Sequence, residues 1–168
     1  IRIKYRKMPL RQSWFFIPSR ALPRRNALNT YHTDFYLWTQ QQAALLRQGH
    51  LSQVDIENIA EEIESMGRND RRAIGSHLRN ILMHLLKWQY QLKRRGTSWK
   101  SSINRGRDEV DVLLADSPSL QPHLPALIAE EYQRARRNAA NETRLALTTF
   151  PEQCPFTIEQ ITGDWWPD

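Results

Sequence analysis

Glu57, Glu61 and Glu64, with His77 and His84, have the types and spacing that acid–base or metal chemistry would use. At 100° per residue the three glutamates share one flank of a helix, while Glu62 falls on the other side. His77 and His84 are seven residues apart and border one apolar face on the same side. A carboxylate-bridged metal site in a helical bundle, or a hydrolase with a carboxylate acid and base, is built from such groups. The diagnostic spacing is missing. Residues 81–84 read Ile-Leu-Met-His and 74–77 read Ile-Gly-Ser-His, so neither histidine follows Glu-x-x, and His-Glu-x-x-His does not occur. Two histidines about 10 Å apart along a helix do not share one ion. The expectation is therefore no metal, no cofactor, and a structural His84 hydrogen-bonded at the core edge. The glutamate row is expected to be a solvated face, with Glu64 and Arg68 paired at i,i+4.

Other chemistries find less support. Lys87, Trp88, Tyr90, Lys93, Arg94, Arg95, Trp99 and Lys100 interleave cations with rings, an arrangement that can grip single-stranded nucleic acid. Trp88 and Leu85 fall on an apolar stripe, however, and Lys93–Arg95 follow a helix end, where the dipole prefers cations. Lys93, Arg94 and Arg95, with Trp165 and Trp166, are the candidate contacts for a partner. The serines sit near helix starts, where serine serves as a cap. No Gly-x-Ser-x-Gly and no phosphate-binding glycine loop is present. Cys154 stands alone between Gln153 and Pro155 and reads as a packed thiol.

Positive charge is concentrated at one end. Residues 1–30 hold eight basic residues and no acid, leaving 16 basic and 18 acidic residues of the chain's 24 and 18 for the rest. The pI near 9.8 thus belongs to the leader and not to the body. The leader has three prolines and one apolar cluster, Trp14-Phe15-Phe16-Ile17, too short for a signal sequence or a membrane span. It is expected to be disordered, and Met8 as an internal start suggests an extension outside the natural product. Arg2, Lys4, Arg6, Lys7, Arg24 and Arg25 would be its contacts to nucleic acid. Residues 31–168 match the size of one domain, contain no membrane span, and with a single cysteine suit a reducing cytoplasm.

The elements that must position these residues are helical. Thr33 to Gln48 is amphipathic, with Thr33 as cap, Asp34 in the first turn and Gly49 as a left-handed stop. A second helix opens on a Ser52/Asp55 capping box with Leu51 and Ile56 as its staple. Ile56, Ile59, Ala60, Ile63 and Met66 form its apolar stripe. A third covers about 69–92, with Ile74, Leu78, Ile81, Leu85, Trp88 and Leu92 at three–four spacing, and Gly67 leaves both one continuous helix and two open. A fourth begins near Ser98 and ends at Ser117-Pro118. A fifth runs through Leu127, Ile128, Tyr132, Ala135 and Ala139 to about Arg144. A Thr157/Gln160 capping box, stapled by Phe156 and Ile161, writes a short terminal helix stopped by Gly163. No strand or hairpin signal appears. The fold class is all-α: an antiparallel bundle of four to five helices with a short C-terminal capping helix.

The segments DFYLW (34–38), ALLRQG (44–49), DIENIAEEIESMGR (55–68), HLLKWQY (84–90), SW (98–99), DSPSL (116–120) and FPEQCPFTIEQI (150–161) resemble the bacterial family called domain of unknown function 29. The resemblance covers about residues 31–162 and leaves the leader outside. It implies a small helical protein and supplies no activity or catalytic residue. The function read from the residues is non-catalytic binding of a protein partner. The alternatives are a metal- or carboxylate-dependent hydrolase built on His84 and Glu57/Glu61/Glu64, and a nucleic-acid-associated regulator.

Overall fold

A computed structural model describes residues 27–167, with side chains from residue 30. Trp14–Ile17 and the basic residues from Arg2 to Arg25 lie outside the described residues. Six α-helices and no strand occur among the described residues: α1 (Ala27–Thr33), α2 (Phe35–Arg47), α3 (Ile56–Tyr90), α4 (Thr97–Asp116), α5 (Leu124–Thr143) and α6 (Ile158–Thr162). The chain is an all-α bundle with a short C-terminal helix. By contacts it divides into two compact units, one ending at Ile59 and the other beginning at Ala60.

In the first unit, α1 begins before residue 30 and stops at Asp34, which caps α2 by accepting from Leu37 N at 2.9 Å. The cap is thus Asp34 and not Thr33, because the Asp34 carboxylate reaches the first-turn amide. Gly49 adopts φ +73 and closes α2 as its position suggested. Ser52 lies in a 3-10 turn, Leu51–Gln53, and does not cap α3. Asp55 takes that place: its carboxylate accepts from Asn58 N and from Trp38 Nε1, while its own amide donates to Gln42 Oε1 at 2.9 Å. Leu51 and Ile56 are both exposed, so the expected staple does not form. Trp38, packed edge-on to Tyr31 and stacked with Phe35, and Gln42 are the buried residues of α2.

In the second unit the second and third expected helices are one. α3 has 35 residues, about 52 Å of helix, because Gly67 in a helix interior costs only about 1 kcal/mol relative to Ala. Its stripe Ile74, Leu78, Ile81 and Leu85 is fully buried. Ile103 and Val110 of α4 and Leu127, Tyr132, Ala135 and Ala139 of α5 complete the core, which Phe150, Phe156 and Ile161 close from the C-terminal segment. Asp70 meets Ser117, and Gly106 meets Ile81, so α3 and α4 run antiparallel. Arg71 pairs with Glu130, Arg79 with Glu131 and Lys87 with Glu142, so α5 runs parallel to α3. This is the up–down–up order that short connections produce. At Gly106 a Cβ would stand 2.6 Å from Ile81 Cγ1, so glycine is what lets the two helices approach. The capping box of α6 forms in both directions, and its staple residues Phe156 and Ile161 are buried.

Candidate functional site

The continuity of α3 decides the fate of the carboxylate–histidine set. Glu57, Glu61 and Glu64 are exposed, and Glu64 pairs with Arg68 at 3.2 Å. Glu64 and His84 are twenty residues apart on one helix, about 30 Å along its axis, so the structure does not bring them together. His77 is half-buried and His84 buried. Among the described residues no group of three or more His, Cys, Asp or Glu side chains is placed to hold a metal ion.

His84 has other neighbours. Lys87, one turn on, is buried and donates to Glu142 Oε2 of α5 at 2.6 Å. Its ammonium also stands 4.5 Å from the centre of the Trp99 ring. The imidazole is held well below its ordinary range, to about 4, first by burial, then by the Lys87 charge, with Glu142 opposing. His84 Nδ1 is buried and has no hydrogen-bond partner. The expected hydrogen-bonded histidine is therefore corrected at this atom: the nearby polar groups are engaged with each other, and the ring stays neutral against the core.

The basic and aromatic residues divide between surface and structure. Lys93 and Arg94 are exposed. Arg95 Nε donates to the Trp88 carbonyl at 2.9 Å, and its guanidinium lies 5.4 Å from the Trp88 ring centre. Trp88 packs on Trp166 and donates from Nε1 to the Pro167 carbonyl at 3.1 Å. Trp88 is half-buried, less deep than Leu85. Trp166 is likewise engaged, with Lys100 and Arg107 over its ring. Trp165 is the more exposed of the pair.

Two arginines that no motif marked hold the C-terminal segment. Arg107 is buried and donates from Nε to the Ile161 carbonyl and from Nη2 to those of Gln160 and Trp165, at 2.7–3.0 Å. Arg136 does the same for Phe150 and Leu147. One signal was present: Ile103, Arg107 and Val110 are spaced four and three, which puts an arginine on an apolar stripe. An open groove of about 600 Å³ runs between α5 and this segment, lined by Ile128, Tyr132, Cys154 and Phe156 among others. Burial pushes the Cys154 thiol up, and its Sγ lies 3.6 Å from the Phe156 carbonyl, which suits a packed thiol and not a nucleophile.

The largest unmatched feature is apolar. Ile56, Ile63 and Met66 on α3 are 66, 64 and 65% exposed. Ile63 and Met66 lie on the line of the buried stripe, but α4 ends at Asp116, next to the residue that meets Asp70, so α3 projects beyond it. The stripe expected from periodicity exists, and its residues Ile56, Ile63 and Met66 are not core.

The class these features define is a small all-α bundle whose C-terminal segment is clamped by two arginines. The chain belongs to the family described as Domain of unknown function DUF29, whose model matches residues 30–166. No curated protein matches the chain, and no solved structure does.

Proposed function

We propose that this protein is a non-catalytic helical bundle that binds a protein partner through exposed apolar side chains of α3. One observation carries the reading. Ile56, Ile63 and Met66 share one face of the continuous helix α3 and are 66, 64 and 65% exposed. Single exposed apolar residues are ordinary, but a concentration of them marks an interaction surface. Met66 and the isoleucines supply adaptable, desolvating contacts, and Arg68 and Glu64 supply a polar rim. The reducing cytoplasm of a bacterium is the setting that fits one free cysteine and the family resemblance.

The test compares the full chain with its Ile63→Glu, Met66→Glu variant as bait in cells of the native host. A partner retained by the native chain and lost by the variant, with thermal unfolding unchanged, supports the reading. Equal retention by both overturns it.

A further inference from the structure

A crevice of about 250 Å³ lies between α3 and α4 and is lined by Asn80, Ser98, Ser101, Ser102 and Arg105. Its chemistry differs from every other recess described above. No carboxylate and no aromatic ring lines it. Residues 88–107 carry Lys93, Arg94, Arg95, Lys100, Arg105 and Arg107 without one acid. Asp108 and Glu109 follow within a turn of Arg105, yet Arg105 makes no ion pair among the described residues. Of the lining groups, Ser102 donates to the Ser98 carbonyl. Ser98, Ser101 and Arg105 are exposed and Asn80 is half-buried, so their donors face solvent and are open to an arriving ligand.

We propose that this crevice binds a phosphate group, free or as a small phosphomonoester. The donor set suits it: a guanidinium offers a fork of N–H groups that matches phosphate oxygens, and serine hydroxyls and an asparagine amide complete the shell. The crevice is small beside pockets for drug-sized molecules, which span roughly 300–1,000 Å³, and it is open, with Ser98, Ser101 and Arg105 exposed, so its contacts reach a phosphate head. The absence of a ring in the lining removes the stacking platform that a nucleobase would need. With one guanidinium and neutral donors the affinity is weak, in the millimolar range. The crevice is remote in sequence from the Ile63/Met66 surface, so the proposal stands or falls separately from partner binding.

The test is titration of the full chain with inorganic phosphate and, separately, glycerol 3-phosphate, at ionic strength held constant with chloride. The readouts are calorimetry and the amide shifts of residues 98–105. Saturable binding of either, weakened about tenfold in Arg105→Gln and reduced in Ser101→Ala but unchanged in Lys93→Gln, supports the site. No saturable binding of either, or binding that survives Arg105→Gln, overturns it. So does binding of a single-stranded oligonucleotide alone, which would make the basic run a nucleic-acid contact.

Discussion

Lys87 Nζ lies 2.6 Å from Glu142 Oε2, with the lysine side chain buried and the glutamate side chain about half exposed. The pair joins the end of α3 to the end of α5, and Trp99 of α4 covers the ammonium. Glu142→Gln removes the charge that compensates a buried cation. The expected cost is about 1–2 kcal/mol, between that of an exposed and a fully buried pair. Lys87→Met in the same variant recovers part of the loss. Urea unfolding of the three chains measures it.

Acid weakens the second unit through His84. The folded-state value is depressed to about 4 from an ordinary 6.5, so between these values the unfolded chain binds the proton and the folded chain does not. Stability is full above pH 6.5, falls as pH drops toward 4, and then levels; the loss from this group is roughly 3 kcal/mol at most. Comparing unfolding at pH 7 and pH 4.5, roughly the two sides of this window, in native and His84→Leu chains isolates it. The variant should show a shallower fall.

Arg107→Met frees the carbonyls of Gln160, Ile161 and Trp165. Charge-assisted bonds of this kind are worth about 1.5–3 kcal/mol each and are not additive, so a total near 3 kcal/mol is expected. Tryptophan fluorescence should become more accessible to iodide, because Trp166 loses the guanidinium stacked on it and Trp88 loses its cover.

Two glycines of similar helical context should respond oppositely to alanine. At Gly106 the new methyl meets Ile81 Cγ1 at 2.6 Å, and overpacking costs about 1–3 kcal/mol. At Gly67 nothing stands within 4 Å, and alanine should stabilise by about 0.5–1 kcal/mol. Melting temperatures of the two variants give the signs directly.

Much of this was legible in the sequence because helix signals are local. Gly49 and the Thr157/Gln160 box mark helix ends through short-range geometry, and both form as expected, whereas the cap expected at Thr33 is supplied by Asp34 one residue on. The stripe from Ile74 to Leu85 is buried because its period matched a helix with apolar neighbours. Ile63 and Met66 share that period and are exposed, since periodicity marks an apolar face without saying what covers it. Gly67 allowed either one helix or two, and the choice of one separates Glu64 from His84. The roles of Arg107 and Arg136 depend on carbonyls 11 to 58 residues further on, which no local pattern encodes. Glu142 likewise finds its partner, Lys87, on another helix 55 residues away.

The central claim is that the exposed face of α3 meets a protein. A photo-reactive residue in place of Met66, with a second chain carrying it in place of the exposed Glu109, tests this most directly in cells of the native host. Irradiation should give a discrete higher-mass adduct from position 66 and none from 109. No adduct from position 66, or the same products from both, would contradict the account.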